Sequence, residues 1–167
     1  MITAVDTSVL LDIFGADSEF GPRSAAAMRR CLAEGSLLAC EVVWAETAAS
    51  FAASAAAEAA LAGLRVDFSP LDTSTSLAVG QAWRAYRQSG GSRERVIADF
   101  LIGAHAHAHA DRLLTRDRGF YRRYFSELRV VDPGEETDAQ APARSKSERT
   151  SRSITPSAGE GTDAPTA

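Results

Sequence analysis

Four acidic side chains stand where acids are costly unless they have work to do. Asp6 follows the apolar run ITAV, and Asp117 follows LLTR in RLLTRD. Glu46 interrupts VVWAETAASF and Asp99 interrupts VIADFLIGAHA, two otherwise apolar stretches of helical period. An acid in such a setting costs several kcal/mol unless it is paired or binds a cation. If the four converge, their mutual repulsion raises their pKa values until a cation neutralises them. Oxygen donors with no cysteine beside them select Mg²⁺ or Mn²⁺ over zinc, and an ion so held suits hydrolysis of a phosphodiester by a metal-activated water.

Plainer roles compete for each acid. Asp6 with Thr7 and Ser8 forms a ready helix cap, and Asp117 before Arg118-Gly119 suits a turn. Glu46 and Asp99 have many arginines to pair with. Asp12 reads as a solvated or helix-capping carboxylate. The combination favours a site: two acids at strand ends and two within helices, on the side of a sheet where ligands bind.

The elements that must position them follow from periodicity. Short apolar runs at 1–5, 37–40, 66–71, 112–115 and 128–131 read as strands. Segments 7–14, 23–33, 42–51, 54–64, 74–88, 95–110 and 119–125 read as helices, with Gly35 ending the second and Asp132-Pro133-Gly134 stopping the last strand. Strands alternating with helices imply an α/β fold, a central parallel sheet in three α/β/α layers. Residues 135–167 hold, apart from alanine, one apolar residue, Ile154, and cannot offset their ordering entropy. Residues 1–134 are expected to form the domain and 135–167 a disordered tail.

Composition narrows the class. The 167 residues, 45% hydrophobic and 24% charged, suit one domain. No window supplies the roughly 18 uncharged apolar residues of a membrane span, and residues 1–15 lack a secretory pattern, so a cytoplasmic protein is expected. Cys31 and Cys40 form no C-x-x-C pair and read as buried thiols. A net charge of −4 argues against nucleic-acid binding through bulk charge and leaves a local basic patch or a bound cation as the means.

VDTSVLLD at 5–12, VVWAE at 42–46, ADFLIGAHA at 98–106 and LLTRDRGFYRRYF at 113–125 together resemble a PIN-domain ribonuclease of the VapC toxin type, from bacterial toxin–antitoxin pairs. The four motifs stand in family order across nearly all of the expected domain. The resemblance implies a Mg²⁺- or Mn²⁺-dependent endoribonuclease whose catalytic, metal-binding acids are Asp6, Glu46, Asp99 and Asp117, with Thr7 and Thr115 in support. It also implies a homodimer and a small cognate antitoxin that blocks the site. The tail departs from the family pattern, and no family function carries over to it.

RNA must still approach an acidic pocket. RDRGFYRRYF offers Arg116, Arg118, Arg122 and Arg123 as phosphate contacts, with Arg93 and Arg95 as weaker candidates. Its aromatics, Phe120, Tyr121 and Tyr124, read as core. His105 and His109 share a helix face at a metal-like spacing but lack a third ligand, so surface or packing roles are expected. Haloacid-dehalogenase-like phosphatases require a second aspartate where Ser8 stands. Like receiver domains, they also use a lysine, and the sole lysine here is Lys146 in the tail. No G-x-x-x-x-G-K-[ST] loop is present. The remaining alternative is a PIN-like module that binds RNA or a protein without cleaving.

Overall fold

The computed structural model describes residues 1–91 and 97–135. Five strands, β1 (Ile2–Val5), β2 (Ser36–Ala39), β3 (Val66–Phe68), β4 (Arg112–Leu114) and β5 (Arg129–Val131), form one parallel sheet in the order β3-β2-β1-β4-β5. Seven helices flank it among the described residues: α1 (Thr7–Phe14), α2 (Gly21–Ala33), α3 (Glu41–Ala48), α4 (Ser54–Gly63), α5 (Thr73–Gln88), α6 (Ile97–His109) and α7 (Arg118–Tyr124). The expected α/β class and all twelve elements are present.

The strand order explains where a site forms. From β1 the chain steps outward to β2 and β3, then returns past β1 to β4 and continues to β5. Right-handed crossovers running in opposite directions put their helices on opposite faces. The carboxyl ends of β1 and β4 therefore flank a topological switch point, the crevice where open parallel sheets bind ligands.

On the face crossed by the return, α5, α6 and α7 meet in an aromatic cluster. The Phe100 ring lies 5.0 Å from Phe120, 5.4 Å from Tyr86 and 5.5 Å from both Trp83 and Tyr124. Phe120 and Tyr121 are buried and Tyr124 half-buried, so these rings are core, as the sequence reading had them. Gly103 on α6 permits the closure, because a Cβ there would stand 2.3 Å from the Phe125 ring. That packing fixes α7, and with it Asp117, against the helix that carries Asp99.

Boundaries shift by small amounts for local reasons. α2 begins at Gly21 with Pro22 in its first turn, where the missing N–H costs nothing. β2 starts at Ser36, whose N–H reaches the Met1 carbonyl. Gly35 is required by close approach, since a Cβ there would collide with the Met1 backbone. α3 stops at Ala48, and the Ser50 hydroxyl takes the Thr47 carbonyl. β3 is three residues long and precedes the Asp72 cap of α5. The expected tail lies outside the described residues beyond Glu135, as do Arg93 and Arg95. Cys31 and Cys40 are buried free thiols, and burial pushes both pKa values up. No described helix is long and apolar enough to cross a membrane.

Candidate active site

β1 hands the chain to α1 at Asp6. The Asp6 N–H extends the sheet ladder to the Leu114 carbonyl at 3.0 Å, and its own carbonyl closes the first helical turn by accepting from Val9 N–H at 3.1 Å. Asp6 thus occupies the N-cap position in extended backbone, yet its side chain makes no capping bond. Its Oδ2 instead accepts from the Ser8 hydroxyl at 2.8 Å and the Thr115 hydroxyl at 2.6 Å. The capping position weighed for Asp6 is therefore occupied without a side-chain capping bond, and the carboxylate is held by two hydroxyls instead.

Two threonines link this centre to other acids. Thr115, just past β4, gives its proton to Asp6 and accepts from the Asp117 N–H at 3.0 Å. Thr7 donates to Glu46 Oε2 at 2.5 Å, joining the start of α1 to α3. Asp99, in the first turn of α6, lies close enough for its charge to bear on Asp6. Asp6 is 6% exposed. Its pKa is raised first by desolvation and further by the Asp99 charge, while the Thr115 and Ser8 hydroxyls pull the other way.

The acids differ in setting more than their sequence contexts suggest. Only Asp6 is buried. Asp99 and Asp117 are half-buried and Glu46 is exposed, because α3 buries Val43 and Thr47 and turns Glu46 outward. The desolvation cost expected for an acid in an apolar run therefore does not apply to Glu46. Asp117 caps α7, accepting from Phe120 N–H at 3.2 Å, where its sequence context suggested a turn. Among the described residues, no three His, Cys, Asp or Glu side chains gather closely enough to hold an ion as they stand. The donor chemistry nevertheless fits a hard divalent cation: carboxylate oxygens, with a buried carboxylate facing a like charge it has every reason to see neutralised.

Asp12 corrects the sequence reading most. It is 4% exposed rather than solvated, it accepts from the Ser24 hydroxyl at 2.7 Å through Oδ2, and its Oδ1 lies 3.1 Å from an Arg116 Nη. The other arginines of the segment are also engaged. Arg118 pairs with Asp132 at 2.8 Å and Glu135 at 2.6 Å, Arg122 stands 3.7 Å from Glu135, and Arg123 lies over the Tyr124 ring.

Ser8 joins Thr115 in holding the Asp6 carboxylate. Its spacing from Asp6, i+2 at a strand-to-helix turn, is the signal that could have found it. His105 is buried, with Nε2 3.0 Å from the Ser69 hydroxyl, and its ring lies 4.9 Å from His109. Packing is thus the role of His105, as expected.

A parallel sheet with acids around its switch point defines a class, and comparison names it. Residues 3–126 match the PIN-domain family model, and the chain belongs to that family. Its fold is shared by chains in three solved VapBC structures. VapBC2 from Rickettsia felis, bound to a DNA fragment from its promoter, is 17% identical, with TM-score 0.59 over 79% of this chain and 98% of that one. VapBC-1 from nontypeable Haemophilus influenzae is 18% identical, with TM-score 0.61 over 81% and 100%. DNA-bound VapBC from Salmonella typhimurium is 17% identical, with TM-score 0.60 over 80% and 98%. No curated protein sequence matches the chain.

Proposed function

We propose that this protein is a metal-dependent endoribonuclease, acting in the cytoplasm as the toxin of a toxin–antitoxin pair. The observation that carries the reading is the hydroxyl-linked acid array. Thr115 ties Asp6 to the Asp117 backbone, Thr7 ties α1 to Glu46, and Asp99 bears on Asp6 by charge. Membership of the PIN-domain family and the shared fold with VapBC chains support it. Asp6, Glu46, Asp99 and Asp117 are the proposed catalytic acids and would hold the ion. Residues 1–134 are the proposed nuclease unit, working as a homodimer and neutralised by a cognate antitoxin protein.

When bound, Mg²⁺ or Mn²⁺ supplies positive field at the scissile phosphate and a lowered pKa for the attacking water. The chain's own groups do the rest. Ser8 and Thr115 hold Asp6 in one orientation, since both donate to its Oδ2 and oppose its protonation. Thr7 donates to Glu46 Oε2 and so orients that carboxylate from α1. Arginines of the segment 116–123 meet the RNA backbone as charge-assisted donors.

The test is incubation of the purified, antitoxin-free protein with a pool of transfer and ribosomal RNA in Mg²⁺, Mn²⁺ or EDTA, beside Asp99→Asn. Discrete fragments that require both the ion and Asp99 are expected. A second reading, a PIN-like module that binds RNA or protein without cleaving, is favoured by the lack of three gathered acids among the described residues. RNA recovered bound and intact in both metals would establish it in place of the nuclease.

A further inference from the structure

Of the four arginines near the acids, Arg116 is held unlike the others. Arg122 stands 3.7 Å from Glu135 with both sides about half exposed, and Arg118, itself about half exposed, divides between Glu135 and the more buried Asp132. Exposed pairs of that kind fix geometry weakly. Arg116 pairs instead with a carboxylate that is 4% exposed and is itself locked by the Ser24 hydroxyl. The guanidinium lies over the Phe20 ring, 4.5 Å from its centroid, an added attraction from the opposite side. Its backbone N–H approaches the same Ser8 hydroxyl that holds Asp6, at 3.4 Å, so the residue is tied to the acid centre through the main chain as well.

The chemistry of this arrangement is specific. A lone arginine beside acids would be drawn among several carboxylates. Here one buried carboxylate engages one nitrogen, its second oxygen is committed to Ser24, and the exposed Asp17 adds only a charge interaction. Arginine has five N–H donors in a fixed fork. Among the described residues its remaining donors have no hydrogen-bonding partner, while 39% of the side chain stays open to solvent. A cation with donors to spare, immobilised one residue from both Thr115 and Asp117, is built for an anion that reaches the acid site from solvent.

We infer that Asp12, with Ser24 and the Phe20 ring, is a positioning residue that fixes Arg116 at the edge of the acid site as a contact for an RNA backbone phosphate. The inference rests on RNA being the polymer handled at that site. It does not require that the RNA be cut.

The experiment uses the full chain and a labelled single-stranded RNA oligonucleotide. Binding is read by fluorescence anisotropy in EDTA across a salt series, and cleavage by steady-state kinetics in Mg²⁺. Arg116→Ala is expected to weaken binding roughly tenfold, the scale of one charge-assisted bond. It should also flatten the salt dependence by about 0.7 in slope, the loss of one phosphate contact on a single strand.

Asp12→Asn gives the sign that decides. Removing a negative charge near RNA tightens binding if Asp12 is only a neighbouring acid, whereas loss of the anchor weakens it and raises KM with kcat kept. The double variant is expected to bind no worse than Arg116→Ala alone. Binding by folded Asp12→Asn that equals or exceeds wild type overturns the inference, as does an Arg116→Ala salt slope that matches wild type. Should Asp12→Asn fail to fold, Ser24→Ala keeps the ion pair and removes only the lock. It must weaken binding in the EDTA series, and binding equal to wild type overturns the proposal. A wild type that binds RNA but never cleaves it sinks the nuclease reading alone, because the EDTA series still decides the role of Asp12.

Discussion

α6 carries titratable groups at both ends, and burial treats them alike while their surroundings do not. In its first turn, Asp99 adds a like charge to the buried carboxyl of Asp6, whose pKa burial has already raised. Toward its last turn, the His105 pKa is lowered to about 4, first by burial and then by the His109 charge, against the opposing pull of Glu41. Each buried group is driven toward its neutral form. For His105 neutrality is sufficient, since one hydroxyl, that of Ser69, meets its ring nitrogen. Asp6 is different, because two hydroxyl donors aim at a single oxygen and favour the charged form. One end of the helix is settled by its hydrogen bond, and the other holds opposing influences on one carboxyl that a bound cation would relieve.

Asp99→Asn breaks this comparison most directly. It is expected to cut kcat/KM by roughly 10³-fold, the several kcal/mol an ion contributes at the transition state. In EDTA the same variant should melt no lower than wild type, because it removes a like charge from Asp6. Added Mg²⁺ should then raise the melting temperature of wild type and leave the variant unmoved, by preferential binding to the folded state. A variant that melts well below wild type in EDTA would show that Asp99 is structural.

The next largest effect is in pH. His105 titrates near its ordinary 6.5 when unfolded and near about 4 when folded, so the unfolded chain takes up protons first as pH falls. Stability is therefore complete above 6.5 and declines toward 4, by about 3 kcal/mol at roughly 1.4 kcal/mol per pH unit. Asp6 runs in the opposite sense. Its raised folded pKa makes it gain stability on acidification from the folded value down toward the ordinary 3.8. Urea midpoints measured from pH 7.5 to 4 should fall for wild type and fall more steeply for Asp6→Asn. A flat profile for Asp6→Asn, where the opposing carboxyl is gone, would mean that His105 is accessible to protons in the fold.

Two smaller effects sharpen the contrast. Thr115→Val removes the hydroxyl shared by Asp6 and the Asp117 N–H, and it is expected to lower kcat 10- to 100-fold, roughly the cost of losing a group that orients an ion's ligands. Steady-state kinetics at saturating Mg²⁺ read this, and an unchanged kcat would remove Thr115 from the site. Arg118→Ala breaks two pairs made by a half-exposed guanidinium, to Asp132 and Glu135, and thermal melting should register about 1 kcal/mol or less. A larger loss would show that the Asp132 and Glu135 pairing holds α7 in place.

Much of this was legible from sequence. The twelve elements follow from periodicity because helix and strand repeats depend on neighbours a few residues away. The strand-end positions of Asp6 and Asp117 follow for the same reason, since each acid ends an apolar run. Spacing did not reveal that Asp12 is buried, although Asp12 shares the inward side of α1 with Val9. Its partners, Ser24 and Arg116, lie on α2 and just past β4, and no local pattern announces them.

The division has a physical origin. Sequence by itself determined which segments are helix or strand, that the sheet is parallel, and which acids sit at strand ends, because backbone periodicity and turn chemistry are short-range. Tertiary structure alone decided that Thr7 serves Glu46 rather than Asp6, that Thr115 reaches Asp6 across 109 residues, and that Glu46 is exposed. Those outcomes depend on β4 inserting beside β1, and the free energy that selects this order comes from the whole core, including the aromatic cluster that seats α5, α6 and α7.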